Sequence, residues 1–291
     1  MLLVSKIESA LNVIRTCLRL RGSSIDNSIK RELLLTYLKL KLNKFPKVFK
    51  SQNNLEKILG FKVFFFRYEA FIFLFNKIFI DLEYYFEADK KDPFIIDCGS
   101  NIGMSILFFK KFYPEATIIG FEPDEKTFLK LEENISVNKL KNVLVYKKAV
   151  SDVEGVINFY YYPDHPGSLS MSIIKERTDK ECQKVESVVL SKYINTTIDF
   201  LKLDTEGAET AIIQELYKQN KLRYIKKIAI EYHHHFHHYH FTKQDDSFSK
   251  ILRILEESSF GYQIKSDLEM PLKRGQYQPI HIYAYQKSEI T

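Results

Sequence analysis

The chain has no tryptophan, and its three cysteines, Cys17, Cys98 and Cys182, lie far apart with no Cys-x-x-Cys pair. That excludes a disulfide framework and a cysteine-based zinc knuckle. It suits a reducing compartment, so a cytoplasmic location is the expectation. An apolar signal core is also missing, because Met1-Leu2-Leu3-Val4 runs straight into Lys6 and Glu8. So is a bilayer-spanning run. The most lipid-like stretch, Val63 to Ile80, carries Arg67, Glu69, Asn76 and Lys77, which are costly at a membrane centre. It reads as an aromatic-rich strand or helix packed in a core. There is no internal repeat and no low-complexity tract except one cluster of histidines.

What is present belongs to an ordinary globular protein: 291 residues, 45% hydrophobic and 27% charged, with 23 Phe and 18 Tyr. The length suits one large domain with an extension, or two small domains. The net charge of +6 is uneven: residues 1–62 hold 13 Lys/Arg against 4 Asp/Glu, and the remainder is net −3. A basic patch meets nucleic acid, an anionic membrane or an acidic partner, or simply keeps a protein in solution. Residues 2–20 and 27–43 have the i, i+3, i+4 apolar rhythm of helices. The charged stretch from Ala88 to Pro93 reads as a linker. The expected division is a basic, mainly helical extension over 1–90 and a second domain over 91–291.

From Phe94 onward short apolar runs alternate with helical ones, the pattern of βαβ units and a parallel sheet. Strands are expected at 94–98, 117–121, 143–150, 198–204 and 225–232, with helices at 104–112, 124–137, 208–217 and 246–258. Segments 155–162 and 184–190 read as added strands, and 262–265 and 280–286 as strands that close the sheet.

Three strand ends carry chemistry. Asp97-Cys98-Gly99-Ser100-Asn101-Ile102-Gly103 joins a strand to a helix, where open α/β sheets bind ligands. It is not a dinucleotide fingerprint: Asn101 stands in place of the second glycine, and Asp97 brings a carboxylate, a poor neighbour for pyrophosphate and a good one for an ammonium. Glu122, 23 residues after Gly99, can accept hydrogen bonds from both ribose hydroxyls of an adenosine cofactor. An adenosine cofactor without a pyrophosphate is S-adenosylmethionine (SAM). The third segment, Ile198 to Glu209, delivers Asp204 and Glu206 to a strand end, with Gly207 permitting the turn and Glu206 or Glu209 as a helix cap.

These segments resemble the FkbM-type SAM-dependent methyltransferases. The resemblance rests on Asp97-x-Gly99-x-Asn101-x-Gly103, Phe121-Glu122-Pro123, Asn134, and Asp199-Phe200-Leu201-Lys202-Leu203-Asp204-x-Glu206-Gly207-Ala208-Glu209. It implies a Rossmann-like class I methyltransferase: an α/β fold with a mostly parallel seven-stranded sheet, its last strand antiparallel, flanked by helices. It further implies methyl transfer from SAM, usually to an oxygen of a sugar, glycan or small natural product. On that basis Asp97 and the loop of Gly99, Ser100, Asn101 and Gly103 hold the amino-acid end of SAM, Glu122 holds the ribose, and Ala149 to Asp152 border the adenine.

An alcohol acceptor calls for a general base. The candidates are Asp204, Glu206 and the histidines 233–235, with His233 nearest its strand end. Residues 233–240 hold six of the eight histidines. Their i, i+4 spacing suits a metal only on a helix, and this segment follows a strand. Asp204 and Glu206 offer an alternative Mg²⁺ site against acceptor hydroxyls, but no metal is expected. The alternatives are an N-methyltransferase, a nicotinamide-dependent oxidoreductase and a non-catalytic interaction protein. Nucleic acid is not an expected partner, since no binding motif for it appears. The basic N-terminal helices are a candidate for peripheral membrane contact, or for covering one face of the domain.

Overall fold

The computed structural model describes residues 16, 20, 22–23, 25–47, 54–175, 181–233, 248–266 and 280–289. The helix expected over 2–20 lies almost wholly outside these residues, as do His234 to His240. The chain divides into two compact units, Met1–Tyr85 and Phe86–Thr291. Among the described residues no helix is long and apolar enough to cross a membrane.

The first unit contains helix α1 (Asn27–Lys47), a hairpin of β1 (Leu55–Ile58) and β2 (Phe61–Phe64), and helix α2 (Tyr68–Leu74), which runs into a π-helical turn, Phe75–Ile80. The stretch 63–80 is thus strand and helix in succession. Its aromatic rings are core: Phe71, Phe75 and Phe79 are fully buried, and Phe75 stacks on Phe79 at 5.5 Å.

The second unit is built on β3 (Phe94–Cys98), α3 (Met104–Phe112), β4 (Thr117–Phe121), α4 (Glu125–Val137) and β5 (Val143–Tyr146). After β6 (Ala149–Ser151), β7 (Gly155–Tyr161) and β8 (Glu181–Val189) come β9 (Ile198–Leu203), α5 (Glu209–Lys218), β10 (Ile225–Tyr232), α6 (Phe248–Glu257), β11 (Phe260–Ser266) and β12 (Ile280–Gln286). Seven strands form one sheet in the order β11-β12-β10-β9-β3-β4-β5. The pairs from β10 through β9, β3 and β4 to β5 are parallel. Strand β12 lies antiparallel between β10 and β11. This is the class I methyltransferase arrangement that the resemblance implied. The continuous apolar runs follow from it, because a parallel sheet is covered on both faces; every residue of β9 is buried.

Chain order reverses beside β3. The chain proceeds from β3 outward through β4 to β5, then returns to β9 on the other side of β3. The loops after β3 and β9 therefore leave the sheet at its topological switch point, where such sheets bind ligands.

One expected strand, 143–150, is two. Lys148 N–H turns back to the Tyr146 carbonyl at 2.9 Å, and β6 leaves the main sheet. It joins a separate three-stranded sheet, β6-β8-β7, whose core is Ala149, Phe159, Met171 and Val185. The added strands of 155–190 thus form an insert of their own rather than widening the main sheet.

At the start of β9, Asp199 is buried and accepts the Phe94 N–H at 2.8 Å, with Lys90 at 3.0 Å and Lys226 at 3.7 Å. This acid of the motif staples the entry edges of β3, β9 and β10. Asp199→Ala removes the acceptor of the Phe94 N–H and the 3.0 Å Lys90 ion pair, so it should lower unfolding free energy by about 1–3 kcal/mol, read as a reduced urea midpoint at unchanged m-value.

Candidate active site

The turn after β3 has three residues with positive φ: Gly99 at 84°, Asn101 at 47° and Gly103 at 90°. Its backbone is anchored on both sides. Gly99 and Ser100 donate to the Phe121 carbonyl at 3.0 and 2.9 Å, and Asp204 N–H donates to Cys98 at 3.2 Å. Gly99 approaches the β9 loop so closely that a Cβ there would sit 1.8 Å from the Asp204 carbonyl oxygen. Glycine is therefore required at this position by contact as well as by φ. Asn134 of α4 donates to the Ile102 carbonyl at 2.8 Å, which explains its place in the motif. The Ser100 hydroxyl turns inward to the Asp97 carbonyl, and its own carbonyl accepts the Gly103 N–H at 2.8 Å.

Asp97 does not stand at the mouth of the turn. It is fully buried, with one carboxylate oxygen 3.0 Å from Lys202 Nζ and the other accepting the Ser105 hydroxyl at 2.5 Å. Lys202, equally buried, also donates to the Gly99 and Cys98 carbonyls at 2.8 and 3.3 Å and lies 3.5 Å from Asp204. Burial alone would lower the ammonium's pKa, but Asp97 and then Asp204 raise it above the ordinary lysine value. The exposed end of this network is Asp204, whose side chain is 25% accessible. Asp97 lies underneath as the counter-ion of Lys202. Lys202 stands within the motif, but its residue type alone assigns it no role. The available signal was a cation inside a strand whose apolar content marks it as buried, which requires a buried partner.

Glu122, just past β4, is buried. It accepts N–H donors from Asn101 and Asp124, both at 3.0 Å. Burial pushes its carboxyl up to about 8, against the pull of those two donors. Asp124 caps α4 through the Thr127 N–H at 2.9 Å.

The loop after β9 carries a second charged network. Glu206 sits in the left-handed region, φ 57°, and Gly207 follows at φ 118°. Glu209, in the first turn of α5, accepts the N–H groups of Thr205 and Gly207 at 2.9 and 3.1 Å. It also meets His233 Nδ1 at 3.2 Å. His233 Nε2 lies 3.5 Å from Glu206 and 3.7 Å from Glu231. Burial would depress the imidazole, yet Glu206, Glu209 and Glu231 hold it protonated, up to about 10. Glu209 moves the other way. Burial raises it, but His233 and the loop N–H groups bring it down to about 2. Donor atoms of Asp204, Glu206 and His233 lie within 4.8 Å of one another, the spacing of a cation site. As arranged, the imidazolium is itself the cation among these carboxylates.

The structure thus brings together Gly99, Ser100, Asn101, Gly103, Glu122, Asp204, Glu206 and His233 around the ends of β3, β4, β9 and β10. Ala149 is buried in the apolar cluster of the small sheet, and Asp152 is exposed in the turn after β6.

Lys202→Met should be disruptive because it leaves Asp97 as an uncompensated buried charge and frees two turn carbonyls. A loss of about 3–5 kcal/mol is expected on chemical denaturation. The double variant Lys202→Met/Asp97→Leu, which removes both charges, should recover most of it.

Residues 97–264, more than half of the chain, match the family model described as the methyltransferase FkbM domain. Among curated relatives, Methyltransferase 1 of Beauveria bassiana (strain ARSEF 2860) is 27% identical over 50% of this chain and 66% of its own length. The 2-O-methyltransferase NoeI of Sinorhizobium fredii (strain NBRC 101917 / NGR234) is 33% identical over 43% of this chain and 58% of its own. The 31-O-demethyl-FK506 methyltransferase FkbM of Streptomyces tacrolimicus is 35% identical over 32% of this chain and 36% of its own. The chain thus spans less than two thirds of each of these three relatives. The crystal structure of methyltransferase FkbM from Methylobacillus flagellatus KT superposes with a TM-score of 0.45 at 17% identity, over 96% of this chain and 60% of that one. With its turn after β3, its Glu122 and its β9 motif all inside the matched span, this chain belongs to the FkbM family of SAM-dependent methyltransferases.

Proposed function

We propose that the protein methylates a hydroxyl of a neutral sugar, glycan or small natural product, using SAM. The observation that carries this reading is the pairing of a glycine turn with a partly exposed carboxylate, Glu206, across the switch point of the sheet. The names of two relatives, a 2-O-methyltransferase and a 31-O-demethyl-FK506 methyltransferase, support an oxygen acceptor.

The residues present fit SAM. Glu122 is a buried carboxyl with two N–H donors, and hydroxyl donors from a ribose would complete its hydrogen bonding and favour its ionised form. Helix α3 begins at Gly103 with no side-chain cap, so its first N–H groups suit a ligand carboxylate. Asp204 suits the ammonium beside it. When bound, SAM supplies a methyl group already activated on a sulfonium. The chain's own residues must align the acceptor, exclude water and take a proton.

Of the three candidates for that proton among the described residues, His233 is held protonated in this arrangement and cannot accept another. Asp204 is assigned to the ligand ammonium in this reading and pairs with the buried Lys202. Glu206, with its carboxylate side 18% accessible, is the base in this reading, and the nearby imidazolium orients it. Five carboxylates, of Asp97, Asp204, Glu206, Glu209 and Glu231, converge on two cations, Lys202 and His233. The site therefore favours neutral acceptors over anionic ones. No metal is assigned a role.

Three measurements test this. A screen of neutral and anionic hydroxylated acceptors with labelled SAM should show transfer to neutral ones; exclusive transfer to amines would replace the reading with N-methylation. Glu206→Gln should lower that transfer by about 10²–10⁴-fold while S-adenosylhomocysteine still binds. Because hydroxyl donors favour the charged Glu122, binding should release a proton. Calorimetric affinity for S-adenosylhomocysteine should then rise with pH toward about 8 and level off above it. In Glu122→Gln that pH dependence should vanish.

A further inference from the structure

The insert reaches the candidate base through one side chain. Ser172 lies in the irregular segment between β7 and β8 and is fully buried. Its backbone forms an isolated antiparallel bridge with Tyr160 of β7, with N–H to carbonyl distances of 2.7 and 3.0 Å. Its hydroxyl donates to the Glu206 carbonyl at 2.5 Å and accepts the Ile174 N–H at 3.0 Å. On either side of Ser172, Met171 belongs to the small-sheet core, and Ile173 packs against both that core and the main one. The segment is thus seated before it touches Glu206.

At the receiving end, Glu206 holds a left-handed backbone conformation. For a residue with a side chain this costs on the order of 1 kcal/mol or more and persists only where neighbours impose it. The neighbours are two side chains from different parts of the chain. Glu209 gathers the N–H groups flanking Glu206, those of Thr205 and Gly207. Ser172 holds the carbonyl of Glu206 itself. A peptide gripped from both sides sets the direction in which its side chain leaves the turn.

We infer that Ser172 is a positioning residue: through the Glu206 carbonyl it aims the Glu206 carboxylate, so that the insert forms part of the catalytic apparatus. This rests on the reading of Glu206 as the base, and the test separates the two.

The primary readout is the titration of His233 in the ligand-free protein, followed by NMR with labelled histidine and assigned by its loss in His233→Asn. The groups facing that ring are Glu206, Glu209 and Glu231. If Ser172 aims Glu206, Ser172→Ala lets the carboxylate swing away, and the His233 midpoint falls by about one unit. Ser172→Thr, which keeps the hydroxyl, restores it. In a Glu206→Gln background Ser172→Ala produces no further fall. Should the alanine variant not fold, Ser172→Cys, close in volume and a weak donor, replaces it in the same comparison.

An unchanged His233 midpoint in a folded Ser172→Ala would overturn the inference, because a purely structural bond lowers the melting temperature without moving that ring. So would a fall of equal size in the Glu206→Gln background. In transfer assays Ser172→Ala should lower kcat by about ten- to a hundredfold, with S-adenosylhomocysteine affinity kept. Loss of that affinity instead would place Ser172 in general folding and overturn the inference. Failure of the wild-type protein to bind S-adenosylhomocysteine would sink the methyltransferase reading, yet the His233 comparison would still decide the role of Ser172.

Discussion

The ammonium of Lys202 is the constraint on which the site depends. It is a single buried charge at the base of two loops that come from strands distant in sequence. Around it lie the carboxylates of Asp97 and Asp204 and the carbonyls of Cys98 and Gly99. A buried charge is tolerated only when such partners are complete, so the ion cannot be satisfied unless the turn after β3 and the end of β9 are both in place. That requirement turns two flexible connections into one rigid surface. The 1.8 Å approach of a notional Gly99 Cβ to the Asp204 carbonyl shows how tightly they close on each other.

A second charged network, around His233, does for the outer edge what Lys202 does for the floor. Both use a buried cation to hold acids at strand ends, but they differ in what is left exposed. At the floor the acid beneath is sealed and only Asp204 reaches outward. At the edge, Glu209 is sealed and Glu206 keeps partial access. Each network thus seals one acid completely and leaves another partly exposed, with Glu231 as a third acid at the edge. The two outward acids, Asp204 and Glu206, are two residues apart.

Much of this was legible in the sequence. The strand ends bearing Asp97, Glu122 and Asp204 were readable because a strand covered on both faces is a continuous apolar run, and the glycines and acids that follow it stand out. What could not be read was direction. Residue type and spacing place Asp97 at a strand end, but only the packing of β3 against β9 decides that it points down to Lys202. Composition suggests histidine as a base, but three carboxylates from separate segments make His233 a cation. Ser172 was invisible for a plainer reason: it meets Glu206 across 34 residues of chain, through an insert whose small sheet follows no simple periodicity. The break at Lys147-Lys148, which splits one apolar run between two sheets, belongs to the same class.

The placement of β12 bears on how the molecule is made. This strand pairs with both β10 and β11 although it follows them in the chain. During synthesis, β10 has its outer edge open and β11 has no neighbour in the sheet until residues 280–286 have emerged. An apolar strand with an unpaired edge is a template for association with another chain, and nascent chains expose such edges for as long as translation lasts. Strand β12 therefore covers the outer edge of β10 and leaves β11 and β5 as the edges of the sheet, and until it arrives the edge of β10 is open to misassembly.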